Sequence, residues 1–280
     1  MTATRLPMIV VSDLDGSLLD HYSYSFEHAW EEVSQLEQAG IPLVLASSKT
    51  REEILQLRFE LNNRHPFIVE NGAAVFIPVR YFPQQPEQTV RRDDYWVHEM
   101  TLPREHWLEQ LAQLEHQFHG DFDSFNSAGV AGIMAMTGLS EVQASAANQR
   151  EYSEPVRWLG KPAAEHLFIS ALEAAGATVQ RGGRFLSVSG ACDKGQALIW
   201  LRSRYQESSL TEAIEDLAIG DGANDAAMLD AATTALLVRS PVHSFPSLTK
   251  THGVMRSSNF GPAGWAEGVA QWLRDNNIST

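Results

Sequence analysis

The stretch Met8-Ile9-Val10-Val11-Ser12-Asp13-Leu14-Asp15-Gly16-Ser17 runs a short apolar segment straight into two aspartates one residue apart and a glycine. An apolar run of this length with polar boundaries reads as a buried strand. In open α/β sheets ligands collect beyond the carboxyl ends of the strands, so Asp13 and Asp15 stand where sites are built. If the chain stays extended through Leu14, the two-residue period of a strand puts both carboxylates on one side. One can then act as a nucleophile while the other moves protons. Gly16 lets the backbone turn tightly beneath a bound group. A solvated turn rich in aspartate explains the same residues equally well, so the rest of the chain has to decide.

Working outward, residues 25–39 place Phe26, Ala29, Trp30, Val33 and Leu36 at helical spacing before Gly40, and residues 41–46 form a second apolar strand. Thr50 and Glu53 make a capping box for a helix presenting Ile54, Leu57 and Leu61, and Phe67-Ile68-Val69 is a third strand. This alternation predicts a Rossmann-like α/β core with a parallel sheet. From Tyr81 the pattern breaks at Pro83-Gln84-Gln85-Pro86, and the following residues mix polar strands with irregular helices. An inserted α+β cap domain over residues 82–189 is expected, dividing the core into 1–81 and 190–280. The second part reads as a helix over 195–205, a strand at Leu217-Ala218-Ile219, a short helix over 226–232 and a strand at Leu236-Leu237-Val238.

Composition narrows the partners. With 280 residues, 44% of them hydrophobic, the chain can bury a substantial core. A formal net charge of −14, from 35 acidic and 21 basic residues, opposes attraction to nucleic acid or an anionic membrane surface. A small anionic substrate stays compatible, because a metal ion and a few cationic side chains reverse the local potential of a site. Cys192 is the single cysteine and excludes an intrachain disulfide. No signal peptide and no membrane-length apolar run are visible, so the cytoplasm is expected. Oligomeric state is not legible.

Three further clusters fall where strands end or helices begin. Ser47-Ser48-Lys49-Thr50 follows the second strand and offers hydroxyls and amides to phosphate oxygens, although helix capping also accounts for it. Lys194 opens a helix, where an ammonium can neutralise phosphate charge; alone it reads as a surface lysine. Gly220-Asp221-Gly222-Ala223-Asn224-Asp225 follows a strand, and its hard oxygen donors suit Mg²⁺ better than an Asx turn requires. His116 and His119 are spaced for a metal but lack a third ligand, and a solvated helix face explains them.

In this order the four elements resemble the four motifs of haloacid dehalogenase-like hydrolases, in the group whose cap is inserted between the second and third. The resemblance implies that Asp13 attacks phosphorus to give an aspartyl phosphate. Asp15 would protonate the leaving oxygen and later activate water, Ser47 would bind the phosphoryl group, and Lys194 would compensate charge. Asp13, Asp15 through its carbonyl, and Asp221 would hold Mg²⁺, with Asn224 and Asp225 fixing the surrounding water and lysine network.

The second motif departs from the usual threonine-glycine-arginine. Ser47-Ser48-Lys49-Thr50, with Gly182-Gly183-Arg184-Phe185, Cys192-Asp193-Lys194-Gly195 and Gly261-Pro262-Ala263-Gly264-Trp265, resembles the mannosyl-3-phosphoglycerate phosphatase family. That resemblance implies release of phosphate from 2-O-mannosyl-3-phosphoglycerate to give mannosylglycerate. Ser48, Lys49, Arg150, Gly183 and Arg184 are then candidates for binding a phosphorylated sugar or glycerate; Asn71, which follows the third strand, is a candidate to line the mouth, although a turn accounts for it more simply. The rivals are a broader sugar phosphatase, a phosphosugar mutase and a non-catalytic sensor; the last is disfavoured because a sensor has no need of a nucleophile.

Overall fold

The structure, a computed structural model, describes residues 6–182, 184–211 and 213–278. In chain order it runs β1 (Met8–Ser12), α1 (Trp30–Gln38), β2 (Leu43–Ala46), α2 (Arg51–Glu60), β3 (Phe67–Val69), β4 (Ala74–Pro78), β5 (Val90–Arg92) and β6 (Tyr95–Glu99). There follow α3 (Arg104–Leu114), β7 (Phe122–Ser124), α4 (Phe125–Thr137), α5 (Glu141–Asn148), β8 (Glu154–Trp158), α6 (Pro162–Ala174), β9 (Thr178–Gly182) and β10 (Phe185–Ser189). The chain closes with α7 (Lys194–Ser209), β11 (Glu215–Gly220), α8 (Ala226–Ala231), β12 (Thr234–Arg239), β13 (Val254–Phe260) and α9 (Gly261–Asp275).

These elements form two compact units. The first takes in the chain up to Ser47, Asn63–His98 and the chain from Asp193 onward. Its nine-stranded sheet has the order β13-β12-β11-β1-β2-β3-β4-β6-β5. The run from β13 to β3 is parallel, and β3 pairs antiparallel with β4. The expected Rossmann-like α/β core is present. β1 lies at the centre and is fully buried along its length, which is why it reads as continuously apolar rather than alternating. The chain leaves β1 toward β2 and β3 and later returns on the other side as β11. The crevice at the carboxyl ends of β1 and β11 is therefore the topological switch point, where ligands bind in such sheets.

Val90–Arg92 and Tyr95–Glu99 correct one expectation. The sequence places them in the insertion, yet they pair with each other and join β4, extending the core sheet. β5 is largely exposed at the sheet edge, and an edge strand leaves little hydrophobic pattern to read.

The second unit comprises Ser48–Asn62 and Glu99–Cys192. Its four-stranded sheet is antiparallel, in the order β7-β8-β10-β9. Trp107 and Leu111 of α3 and Phe168 and Leu172 of α6 pack with Val156, Leu186 and Val188 of the sheet. Its Glu99–Cys192 part is the inserted α+β cap expected between the second and third motifs; Ser48–Asn62, expected in the core, groups with it through the packing of α2 on α5. α2 starts with the predicted capping box: Thr50 Oγ1 accepts from Glu53 N at 3.2 Å, and Thr50 N donates to Glu53 Oε2 at 2.9 Å. Thr50 Oγ1 also donates to the carbonyl of Ala146 in α5. His116 and His119 lie in the turn after α3 rather than on a helix face, and His119 pairs with Glu115 at 3.1 Å.

Candidate active site

The site assembles at the carboxyl edge of the parallel sheet in the first unit. Ser12 is in register with Ile219, so Asp13 and Asp221 leave neighbouring strands at nearly the same level. The N–H of Asp13 donates to the carbonyl of Ile219 at 2.8 Å, which extends the ladder to the nucleophile candidate itself. Gly16 has a φ of +83°, and a Cβ there would come 2.5 Å from Asp221 Oδ2. A larger residue at this turn would both strain the backbone and push Asp221 aside.

Lys194 comes from a distant part of the chain. Asp193 caps α7, its Oδ1 accepting from Gln196 N at 2.8 Å, so the helix starts with Lys194 at its first position. Fully buried, Lys194 donates from Nζ to Asp13 Oδ1 at 2.5 Å and to Asp225 Oδ1 at 2.7 Å. The other oxygen of Asp225 accepts from the N–H groups of Asp221 and Gly222 at 3.1 and 3.0 Å. Asp225 thus draws the loop after β11 into a tight ring and hands its remaining charge to Lys194. Gly220 permits that ring, since a Cβ there would lie 2.5 Å from the Cβ of Asp225.

One carboxylate oxygen from each of Asp13, Asp221 and Asp225 falls within 4.8 Å of the others, and all three residues are buried. Such crowding disfavours ionisation. Burial, and then the charge of Asp225, hold the Asp13 carboxyl well above its ordinary range despite Lys194. Asp221 is pushed up to about 6 by burial and then by Asp225, with His243 pulling the other way. Burial on its own would lower Lys194, but Asp13 and Asp225 reverse this and leave it firmly protonated.

The turn after β3 ties the neighbouring loops together. Glu70, Asn71 and Gly72 are three successive residues with positive φ. The N–H of Asn71 donates to the carbonyl of Ser47 at 2.9 Å, and its side-chain oxygen accepts from Asn224 Nδ2 at 3.3 Å. A Cβ on Gly72 would overlap the carbonyl of Asp193, so only glycine allows this close approach. Asn71 was selected from sequence as a candidate to line the mouth; it sits in contact with both Ser47 and Asn224. Ser47 is fully buried at the end of β2, and Asp15 is partly buried in the turn after Asp13.

The remaining sequence candidates belong to the second unit. Arg150 donates from Nη2 to the carbonyl of Ser48 at 2.7 Å and from Nε to Ser153 Oγ at 3.0 Å. Lys49 lies 4.0 Å from Glu53, and Arg51 pairs with Glu151 at 2.9 Å. Arg184 donates to the carbonyl of Met136 at 2.9 Å, near the end of α4, where a cation complements the unsatisfied carbonyls. Gly183 lies outside the described residues.

Two contacts of the site were not selected from sequence. His243 Nε2 stands 3.3 Å from Asp221 Oδ2, and the side chain of Ser240 draws the pKa of the same carboxyl down. Both follow β12, so the rule that sites form beyond parallel strand ends was the available signal.

Comparison with known proteins fits this picture. Residues 10–90 match the model of a haloacid dehalogenase-like hydrolase family. The glucosyl-3-phosphoglycerate/mannosyl-3-phosphoglycerate phosphatase of Methanococcoides burtonii is 32% identical over 270 residues, covering 96% of this chain and 98% of that protein. A haloalkanoate-superfamily phosphatase from Bacteroides thetaiotaomicron superposes with a TM-score of 0.65 at 16% identity, covering 100% of this chain and 98% of its own. The sucrose-phosphatase of Synechocystis superposes with a TM-score of 0.60 at 13% identity, covering 95% and 98%. No helix among the described residues is long and apolar enough to cross a membrane. The switch-point site and a relative of this identity along the whole chain together make the protein a phosphoric monoester hydrolase of the haloacid dehalogenase-like superfamily, in the mannosyl-3-phosphoglycerate phosphatase family.

Proposed function

We propose that the protein is a Mg²⁺-dependent phosphatase acting on a glycosyl-3-phosphoglycerate, with mannosyl-3-phosphoglycerate as the leading substrate, through an aspartyl phosphate on Asp13. The observation that carries this reading is the clamp of Lys194 on Asp13 and Asp225, which fixes a carboxylate at the switch point beside a buried cation. With one oxygen of Asp13 held by Lys194, the other is available to bond to phosphorus. As that bond forms, the ester oxygen leaves and takes a proton from Asp15; Asp15 then removes a proton from the water that cleaves the acyl phosphate. Ser47 and the neighbouring amides would hold the nonbridging oxygens, and Lys194 would offset their charge.

The three clustered carboxylates fit a divalent cation in number, hardness and burial. Asp13 and Asp221 would hold it together with the carbonyl of Asp15, while Asp225 and Asn224 set the loop that presents Asp221. When bound, Mg²⁺ offsets the repulsion between an anionic nucleophile and an anionic substrate. The second unit, Ser48–Asn62 with Glu99–Cys192, would serve as the specificity domain, with Arg150, Ser48 and Lys49 as the groups for a carboxylate and hydroxyls.

The acidic cluster gives this reading a pH signature. Asp221 binds its proton more tightly in the folded state, with its carboxyl moved from 3.8 to about 6. In the metal-free protein its contribution to stability is therefore present at low pH and lost as the pH rises through about 6. A bound cation favours the ionised carboxylates, so Mg²⁺ is expected to raise Tm more at about pH 7 than near pH 5. Thermal denaturation with and without Mg²⁺ at both pH values measures this, and equal shifts would contradict a metal site at Asp221.

The substrate is tested by phosphate release from mannosyl- and glucosyl-3-phosphoglycerate, hexose phosphates and 3-phosphoglycerate, with Asp13→Asn as the blank. The glycosyl-3-phosphoglycerates are expected to lead in kcat/KM by at least about tenfold. A flat profile would remove the substrate assignment and leave a broad phosphatase.

A further inference from the structure

The segment Gly261-Pro262-Ala263-Gly264-Trp265 carries part of the family resemblance yet takes no part in the chemistry described so far. It forms the first turn of α9, beside the last strand. A Cβ on Gly264 would overlap the carbonyl of Asn259 and lie 2.6 Å from Ser257 Oγ, so the glycine lets the helix start pack directly against β13. That close packing delivers Trp265, fully buried, to the end of β1.

There the indole Nε1–H donates to Ser12 Oγ at 2.8 Å, and Ser12 Oγ donates to the main-chain carbonyl of Asp13 at 2.7 Å. Ser12 is itself fully buried. The two bonds run head to tail, and in a low-dielectric interior each polarises and strengthens the next. The N–H of Asp13 is already held by Ile219. With its carbonyl held by Ser12, the peptide groups on both sides of the Asp13 Cα are fixed, and with them the base from which its carboxylate projects.

Tryptophan pairing is not automatic in this fold. The indole nitrogens of Trp107, Trp200 and Trp272 are buried without a hydrogen-bond partner among the described residues. Trp265 differs by being aimed at a hydroxyl that reaches the nucleophile. We propose that Trp265 is a positioning residue that acts through Ser12 to fix the backbone of Asp13 for attack on phosphorus. The inference rests on the reading of Asp13 as the nucleophile. A misplacement well under 1 Å is enough to slow an in-line attack, whereas substrate capture, which depends on other groups, is left intact.

The test uses Trp265→Phe, which keeps an aromatic ring and removes the N–H, together with Ser12→Ala and the double variant. Each is assayed with the phosphate ester that the panel identifies as the best substrate. Each single change is expected to lower kcat by about tenfold while KM stays within about twofold. The double variant is expected to be no slower than the slower single, because both changes break one chain. A Trp265→Phe enzyme with wild-type kcat, or single effects that multiply in the double variant, would overturn the proposal. If Trp265→Phe fails to fold, Ser12→Ala decides, since it removes only an oxygen: wild-type kcat there also overturns the proposal. Asp13→Asn run in parallel keeps the two readings apart, because substantial activity in that variant removes the nucleophile whatever Trp265 does.

Discussion

Asp13→Asn is expected to reduce phosphate release by at least about a thousandfold, because an amide oxygen cannot make the bond to phosphorus on which the covalent route depends. The same change is expected to leave Tm unchanged or raise it in the metal-free protein. Burial and the charge of Asp225 already hold the Asp13 carboxyl well above its ordinary range, so a neutral side chain of the same shape relieves repulsion. It gives up one charged partner of Lys194, but Asp225 remains at 2.7 Å. A loss of activity with retained or increased stability is the pattern of a site whose groups are placed for chemistry at the expense of the fold. Steady-state assay and thermal denaturation of the same preparation measure both halves. Activity within about tenfold of wild type would exclude the covalent mechanism.

Lys194→Met is expected to act in the opposite sense on stability. With Lys194 gone, Asp13 and Asp225 remain buried with no ammonium between them. Removing one partner from a buried ion pair costs about 3–5 kcal/mol, since the remaining charge cannot recover its hydration. Turnover is expected to fall by about a hundredfold or more, through lost charge compensation and a displaced nucleophile. Arginine is not expected to restore it, because a planar guanidinium is larger than the fully enclosed space that Lys194 occupies. Urea unfolding near neutral pH reads the stability change, and a loss below about 1 kcal/mol would show that the carboxylates are not jointly ionised around Lys194. The two variants form a matched pair: one removes a negative charge from the cluster and the other removes its internal counter-charge, so their opposite stability effects report on the same electrostatic balance.

The sequence made the core legible where strands are covered on both faces. β1, β2, β3 and the middle of β11 and β12 are fully buried, and each appears as an unbroken apolar run. The capping box at Thr50 was legible for a related reason, being a local exchange of hydrogen bonds within four residues. The edges were not. β13 is mostly exposed along Val254–Phe260, and β5 is equally polar, so neither carries a hydrophobic period. Their pairing is decided by neighbours distant in sequence. The same distinction applies within the site. Asp225, expected to fix the lysine network beside the metal, does bond Lys194, but that it also ties its own loop through the N–H groups of Asp221 and Gly222 is seen only in the fold. Arg184, chosen for its charge, spends that charge on the end of α4.

What the sequence determined by itself was a set of chemical groups and their order: two aspartates after a first strand, a hydroxyl cluster after a second, a lysine opening a helix, and an acidic loop after a later strand. Local strand and helix patterns placed each group at the edge of a parallel sheet, and the resemblance of the four groups to the family's motifs is what implied phosphoryl-transfer chemistry. The tertiary structure alone decided that Lys194, 181 residues beyond Asp13, lies within hydrogen-bond reach of it. It alone decided that Asn71 lies against Ser47 and Asn224, and that Trp265 reaches Ser12. The physical reason is that a side chain's type and local backbone follow from its near neighbours, whereas its hydrogen-bond partner is fixed only when strand order and register bring distant segments to the same depth in the core.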